Sequence, residues 1–261
     1  MKPSLFRPLF ALSVIILLMI ACVFTGSTSP STAPAQSNPS TEAPSAASTS
    51  TTQPQSKYFQ EDFTNGAPGW SYFVVDDSIA LTSPGSLPLL ASGDVGTMTV
   101  GPSNGYYSFD LESKGQWVYA IYGDQKYDDV RVDVSADNRG TNDNNVSLIC
   151  RYDKKEGWYE FNVANSGLFD IFYGQFTPDN KVIYSKIADG GSNHIKQGKD
   201  VNQYGISCKG STLTLYINGF ETRKVNENNY ALRSGSVGVS VSSFNDLPAK
   251  VLFDWVKISQ P

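Results

Sequence analysis

Acidic residues two apart in a β-strand point to one face, where a pair of carboxylates could act as acid and nucleophile on a glycosidic bond. Two stretches come nearest to this pattern, Phe109-Asp110-Leu111-Glu112 and Val132-Asp133-Val134-Ser135-Ala136-Asp137. Ordinary surface strands also expose alternate polar side chains to water. We interpret Asp110 and Glu112 as such a solvated strand face.

Aromatic side chains are plentiful, with 14 Tyr, 14 Phe and four Trp. The flat apolar faces of sugar rings pack on aromatic rings, while Asn, Asp and Arg side chains bind the sugar hydroxyls. Our candidate ligand-binding residues lie on predicted central strands: Trp117, Tyr119, Arg151, Tyr152 and Trp158. The alternative is that these rings fill the core. Strand alternation predicts that Tyr152 shares a face with Cys150, and Arg151 with Ile149.

Strand patterns extend over the last part of the chain, from Lys57 to Pro261. The clearest are Val130–Val134 and Thr212–Ile217, and the second ends at the hairpin turn signal Asn218-Gly219. Further strands are predicted at 105–111, 116–122, 145–153, 157–164, 167–173, 181–187, 202–209, 220–225, 235–242 and 249–258. About a dozen short strands without helical periodicity predict an all-β fold over residues 57–261, a two-sheet antiparallel jelly-roll sandwich.

The N-terminal segment has the layout of a secretory signal peptide, with Lys2 and Arg7 before an apolar run from Leu9 to Ala21. The run is shorter than the ~20 residues that span a bilayer. Met19-Ile20-Ala21-Cys22 resembles the bacterial lipobox, whose cysteine carries diacylglycerol. We therefore predict a signal peptide over residues 1–21 and lipidation of Cys22. The alternative is an ordinary signal peptide that happens to contain a cysteine.

Residues 22–56 consist of Cys22 and a segment, Val23 to Ser56, that is almost all Ser, Thr, Pro, Ala and Gln, with Glu42 as its only charged residue. Because such a composition buries too little apolar surface to fold, we predict a disordered tether. Membrane lipid is then a partner through Cys22, and the predicted location is extracytoplasmic, at a bacterial cell surface.

The net charge of the chain without its signal peptide is −7, because 18 basic residues then stand against 25 acidic ones. Nucleic acid is excluded as a partner on this ground, since binding to it requires a basic surface. Cys150 and Cys208 remain once Cys22 is assigned to lipid, and an even pair in an oxidising compartment predicts a disulfide. The alternative is two buried free thiols.

Several short motifs follow one another along the chain: Phe59-Gln60-Glu61-Asp62-Phe63 with Gly69-Trp70, Ile149-Cys150-Arg151-Tyr152 leading to Trp158-Tyr159-Glu160-Phe161, Leu213–Gly219, Gly235-Ser236-Val237-Gly238 and Val251–Ile258. Together these motifs resemble concanavalin A-like lectin and glucanase domains. Their order is similar to that in laminin-G-like and glycoside-hydrolase-16-like modules, and in the domain of unknown function 1080 group of sugar hydrolases.

The resemblance implies a carbohydrate-related function with two further expectations. Family 16 enzymes carry Glu-x-Asp-x-x-Glu on one strand, and this triplet is missing here, so catalysis of that type is disfavoured. In many members the first and last strands lie side by side and hold a structural calcium, for which Glu61, Asp62 and Asp254 are the candidate ligands. An ordinary polar edge is the alternative.

These observations predict a membrane-anchored extracytoplasmic lipoprotein with a non-catalytic, lectin-like β-sandwich that binds a polysaccharide or glycan. We keep two alternatives. The first is a glycoside hydrolase of the domain of unknown function 1080 or family 16-like type, and the second is a structural domain that binds another protein.

Overall fold

The computed structural model describes residues 56–76, 86–88, 96–178 and 181–261, with only the backbone described at residue 76 and at 86–88. The predicted signal peptide, Cys22 and the tether up to residue 55 lie outside the described residues, and these predictions stay predictions. Every strand below belongs to the unit Gln53–Pro261. Within the described ranges, no helix combines the length and the apolar character that a membrane span needs.

The described ranges contain the following strands: β1 (Phe59–Glu61), β2 (Trp70–Asp76), β3 (Ser86–Pro88), β4 (Met98–Ser103), β5 (Tyr106–Leu111), β6 (Gln116–Tyr127), β7 (Val130–Asn138), β8 (Asn144–Asp153), β9 (Gly157–Ala164), β10 (Leu168–Phe176), β11 (Lys181–Gly191), β12 (Val201–Lys209), β13 (Thr212–Ile217), β14 (Phe220–Asn226), β15 (Gly235–Ser243) and β16 (Ala249–Ser259).

The strands form two antiparallel sheets. Sheet A has the order β14-β13-β12-β7-β16-β5-β4, and β1 pairs with β16 on the side where β5 also pairs. Sheet B has the order β2-β6-β15-β8-β9-β10-β11-β3. The predicted all-β, two-sheet antiparallel sandwich is therefore confirmed, as is the side-by-side pairing of the first and last strands.

Local turn chemistry sets the hairpins as predicted. Asn218 and Gly219 connect β13 to β14 with φ angles of 49° and 85°, which suit the tight two-residue turn that matches strand twist. Strands β8, β9 and β10 form the predicted meander, and β11 extends it. Strands β2, β3 and β4 are absent from the predictions, because apolar and polar residues do not alternate cleanly in β2 or β4 and β3 has only three residues.

The sandwich interior is filled by alternate side chains of both sheets. On β9, Tyr159, Phe161 and Val163 are fully buried in this core. The remaining β9 side chains, Trp158 and Glu160 among them, point to the opposite face of sheet B, where a second apolar cluster lies. Sheet B therefore buries large side chains on both of its faces.

The predicted disulfide is confirmed and joins the two sheets. Cys150 lies on β8 of sheet B and Cys208 on β12 of sheet A, and both are fully buried. Their Cα atoms are 6.7 Å apart, within the range that a disulfide spans. The crosslink closes a loop with a sequence separation of 58 residues.

Replacement of both cysteines, in a Cys150→Ala/Cys208→Ala variant of the full chain, should lower the free energy of unfolding by ~2–4 kcal/mol, because the unfolded chain regains the freedom of the opened loop. Urea denaturation followed by tryptophan fluorescence measures this difference. Wild-type protein denatured with a reductant should show a comparable loss. An unchanged midpoint in the variant would show that the crosslink does not stabilise the fold.

Candidate ligand-binding face of sheet B

The outer face of sheet B consists of the side chains that alternate with the sandwich core. It carries Phe73 and Val75 of β2, Trp117 and Tyr119 of β6, Ser240 and Ser242 of β15, Ser147 and Ile149 of β8, Trp158, Glu160 and Asn162 of β9, Phe172 and Phe176 of β10, and Tyr184 of β11. The face thus combines aromatic rings, hydroxyl groups and one central carboxylate.

Four of the predicted ligand-binding residues lie together on this face: Trp117, Tyr119, Tyr152 and Trp158. The ring of Tyr119 stacks on Phe73 with centroids 4.8 Å apart and meets the edge of Trp158 at 5.8 Å. Tyr119 and Trp158 are fully buried, whereas Trp117 and Tyr152 are half-buried. The half-buried rings are therefore those that a ligand meets first.

Glu160 lies at the centre of the face and is fully buried. Its Oε2 accepts hydrogen bonds from the Tyr119 hydroxyl at 3.0 Å and from Trp158 Nε1 at 3.1 Å. Its Oε1 accepts one from Ser147 Oγ at 2.9 Å. Burial raises the pKa of Glu160, and the donors Trp158, Ser147 and Tyr119 only partly oppose this rise.

Three buried polar atoms on the β15 and β6 part of this face have no hydrogen-bond partner among the described residues: Ser240 Oγ, Ser242 Oγ and Trp117 Nε1. They are neighbours, since Ser242 is the cross-strand partner of Trp117, and Ser240 pairs with Tyr119 and Ser147. A buried polar group left unpaired costs about 1–3 kcal/mol. Such atoms usually have a partner in the functional state, such as water or a ligand.

The fifth predicted ligand-binding residue, Arg151, lies away from this face. Its side chain is 1% exposed, and the guanidinium donates to the backbone carbonyls of Asp128, Gly210 and Leu232 at 2.7 to 3.1 Å. Asp129 adds an ion pair at 3.5 Å. Arg151 therefore holds three loops together and does not reach a ligand on sheet B.

The alternation predicted around Arg151 is also wrong. Cys150 points into the core, whereas Tyr152 joins the outer cluster with Ile149. The register with β9 and β15 shifts here, and Arg151 has a φ of 55°. Because a β-bulge adds a residue to one strand, side chains beyond it change face. Tyr152 thereby comes to lie 5.6 Å from Trp158, centroid to centroid.

The candidate calcium ligands do not fit a metal centre. Among the described residues, no group of three or more His, Cys, Asp or Glu side chains could hold a metal ion. Glu61 Oε1 accepts from the backbone N–H of Phe63, and Asp62 Oδ1 accepts from the backbone N–H and hydroxyl of Thr64. Asp254 is exposed. These acids form turns and a polar edge, so we place no calcium there.

Three acids of the two acidic stretches, Asp110, Asp133 and Asp137, lie on sheet A and form ion pairs, whereas Glu112 lies just beyond β5 and is exposed. Asp110 forms an ion pair with Lys250, its cross-strand partner, and Asp137 pairs with Arg139.

The stretch Gly101-Pro102-Ser103-Asn104-Gly105 matches the spacing of a serine nucleophile motif. Gly101, Pro102 and Ser103 end β4, and Asn104 with Gly105 forms the turn to antiparallel β5, whereas that motif requires a strand followed by a helix.

Sequence reasoning missed Glu160, Ser240 and Ser242. Glu160 could have been found from the alternation Trp158-x-Glu160-x-Asn162, which places an acid between an aromatic and an amide on one strand face. The serines of Ser236-Val237-Gly238-Val239-Ser240-Val241-Ser242 alternate in the same way with buried valines. Which face of β15 is the outer one cannot be read from that pattern.

The raised pKa of Glu160 makes stability depend on pH. Above the ordinary glutamate value of 4.5, the unfolded chain loses this proton while the folded state keeps it, so the free energy of unfolding falls as pH rises towards the folded pKa. The slope is at most ~1.4 kcal/mol per pH unit. In Glu160→Gln this contribution should vanish, as measured by urea denaturation from about pH 3 to about pH 8, a range that covers both sides of the ordinary glutamate pKa.

Glu227 is the matched control for this experiment. Burial acts to raise its pKa, but the Tyr159 hydroxyl and the backbone N–H groups of Tyr230, Asn229 and Ala231 outweigh it, and the net pKa is lowered. The stabilisation of the fold by the Glu227 carboxylate is therefore lost as pH falls below 4.5. In that pH range, Glu227→Gln should change how the free energy of unfolding depends on pH. Identical slopes for wild type and Glu160→Gln above pH 4.5 would refute the raised pKa.

Comparison with known proteins bears on the fold. No protein-family model matches the chain, and no curated protein matches it in sequence. Many solved structures are similar to it, among them the following three. Carbohydrate-binding module 66 from Bacillus subtilis has 15% identity and a TM-score of 0.48, and the match covers 71% of this chain and 91% of that one. A mixed-linkage glucan glycoside hydrolase of family 16 from Bacteroides ovatus has 14% identity and a TM-score of 0.53, with 77% of this chain and 99% of that one covered. The Bacillus licheniformis β-glucanase has 12% identity and a TM-score of 0.50, with 78% of this chain and 98% of that one covered. The likeness to the two enzymes confirms the concanavalin A-like jelly-roll fold that the motifs resemble.

Proposed function

We propose that this protein is a membrane-anchored extracytoplasmic lipoprotein whose β-sandwich binds a saccharide, without catalysis, on the outer face of sheet B. The observation that carries the proposal is the set of unpartnered buried groups, Ser240 Oγ, Ser242 Oγ and Trp117 Nε1, beside a cluster of aromatic rings. Hydroxyl and indole groups provide hydrogen bonds for sugar hydroxyls, and the rings pack against C–H faces.

Access to these groups passes the half-buried rings. Trp117 is the cross-strand neighbour of Ser242, and its own Nε1 is among the unpartnered atoms. We expect rotation of this one side chain to open Ser242 to a ligand and to turn Nε1 towards it. Ser240, the next serine on this face of β15, is the cross-strand partner of the buried Tyr119. The half-buried Phe73 and Tyr152, with centroids 5.8 Å apart, then provide the packing surface next to the opened pocket.

The surroundings of Glu160 support binding without hydrolysis. A retaining glycosidase needs two carboxylates about 5–5.5 Å apart, and an inverting one needs them about 6.5–9.5 Å apart. On its own strand Glu160 has Trp158 and Asn162 as outward neighbours, and its cross-strand partners are Ile149 and Phe172. No acid occupies these four positions, and Asp170, which lies diagonal to Glu160 as the cross-strand partner of Asn162, forms an ion pair with Lys186 at 2.7 Å. The oxygens of Glu160 are themselves already bound by three donors.

A neutral β-glucan is the first ligand to test, because the two enzymes that share the fold are named for glucans. Calorimetry of the full-length protein in detergent with a mixed-linkage β-glucan oligosaccharide, together with a glycan array, measures binding. No binding to any glycan in either assay would overturn the proposal. Release of reducing sugar by the wild type but not by Glu160→Gln would replace it with a hydrolase.

The double variant Ser240→Ala/Ser242→Ala separates binding from stability. Because it deletes two unpaired hydroxyls, the urea midpoint should stay the same or rise. The same deletion should weaken glycan binding about tenfold, since two sugar hydrogen bonds are lost.

Ser147→Ala is the control for that variant, because Ser147 donates to Glu160 and has a partner already. The urea midpoint of the Ser147→Ala variant should fall, because the variant removes a hydrogen bond to the buried carboxyl group of Glu160. If the Ser240/Ser242 variant bound glycan as tightly as the wild type, these serines would lie outside the site.

The anchor at Cys22 rests on the lipobox-like Met19-Ile20-Ala21-Cys22 and on the apolar run before it. Several acyl chains on one residue hold a protein at a membrane stably, since each buried methylene contributes ~0.8 kcal/mol. The sandwich then needs no membrane-binding surface of its own, which agrees with the acidic net charge.

Metabolic labelling with a radioactive fatty acid tests the anchor. Wild-type protein should take up label and fractionate with membranes, whereas Cys22→Ser should lose the label and appear in the soluble fraction. Cys150→Ala/Cys208→Ala, which keeps Cys22, is the control and should retain the label. Equal labelling of the Cys22→Ser variant would exclude lipidation at this residue.

A further inference from the structure

We infer that the outer face of sheet A holds a second ligand site, for a sugar that bears a carboxylate, such as a hexuronate residue. This site lies on the sheet opposite to the proposed saccharide site and does not rest on it. It is formed where β13, β12, β7 and β16 lie side by side, and its cavity has a volume of about 190 Å³.

The floor of this cavity is open because residue 205 of β12 is a glycine, which has no side chain. Gly205 of β12 lies between Tyr216 of β13 and Asp133 of β7. A Cβ atom on Gly205 would lie only 2.4 Å from Asp133 Oδ1 and 3.3 Å from Arg131 Nη2. The glycine therefore lets the Asp133 and Arg131 side chains lie flat across β12.

Arg131 and Asp133 form one planar polar unit on that floor. Arg131 donates from Nε to Asp133 Oδ2 and from Nη2 to Oδ1, both at 2.8 Å. The guanidinium also stacks over Tyr216, with its Cζ 4.1 Å from the ring centroid. Because both side chains are fixed in this way, their remaining hydrogen-bonding positions are oriented before a ligand arrives.

An aromatic wall and a cation complete the site. Trp255 of β16 is half-buried and lines the cavity, and Lys257 lies two residues further along the same strand, beside Asp133. Lys257 is exposed, and among the described residues no acid is within ion-pair distance of its Nζ. The exposed Gln203 adds an amide at the rim.

The chemistry of the ligand follows from this composition. Trp255 offers a flat apolar surface for the C–H face of a sugar ring, and the Arg131–Asp133 unit and Gln203 offer partners for hydroxyl groups. With Arg131 neutralised by Asp133, Lys257 leaves an excess of one positive charge, which selects a carboxylate. The volume lies below the ~300 Å³ of the smallest drug-sized pockets, so the cavity fits one ring.

Calorimetry of the full-length protein with trigalacturonate and with its fully methyl-esterified form tests this site. Trigalacturonate should bind more tightly than the ester. Lys257→Gln should weaken trigalacturonate binding about fivefold and remove the preference over the ester, because an exposed ion pair is lost. Trp255→Ala should weaken binding of both forms about tenfold.

Lys199→Gln, a charge change in an exposed loop outside the cavity, is the matched control and should bind like the wild type. The Ser240→Ala/Ser242→Ala variant should also keep trigalacturonate binding, so that failure of one site is distinguished from failure of the other. The inference is overturned if trigalacturonate does not bind, if the ester binds equally well, or if Lys257→Gln and Trp255→Ala leave its affinity unchanged.

Discussion

The hydrogen bonds of the buried Arg151 guanidinium to three backbone carbonyls are the interaction on which the arrangement of both sheets depends. A charge removed from water is costly unless hydrogen bonds compensate it, and here the carbonyl groups of Asp128, Gly210 and Leu232 do so. These residues belong to the connections β6–β7, β12–β13 and β14–β15. One side chain thus ties loops of sheets A and B together, next to the Cys150–Cys208 disulfide.

The backbone around Arg151 also determines what the outer face of sheet B contains. Gly235 packs so closely against it that a Cβ atom there would lie 2.3 Å from the carbonyl carbon of Arg151. The irregular register brings Tyr152 outward beside Trp158, into the cluster that surrounds Glu160. The same bulge therefore links a structural contact at the end of the sandwich to the chemistry of the candidate site.

Most of the fold could be predicted from side-chain alternation, because β9 and β13 have the bounds that their patterns predict. The pairing of Cys150 with Cys208 followed from the cysteine count together with the assignment of Cys22 to lipid and of the chain to an oxidising compartment. Arg151 could not be placed, since its positive φ and its carbonyl partners depend on loops distant in sequence. For the same reason, the unpartnered state of Ser240 becomes visible only when its neighbours on β6 and β8 are known.

The order of strands has a consequence for how the protein is made. The last two strands along the chain occupy central positions: β15 joins β2 and β6 to the β8–β11 meander, and β16 joins β7 and its neighbours to β5 and β1. Before these strands are in place, each sheet exists as two halves with open edges, which are prone to pair with other chains. The local meander can form early, but both sheets close only once β15 and β16 are available to pair, so the domain has open strand edges until these two strands are in place.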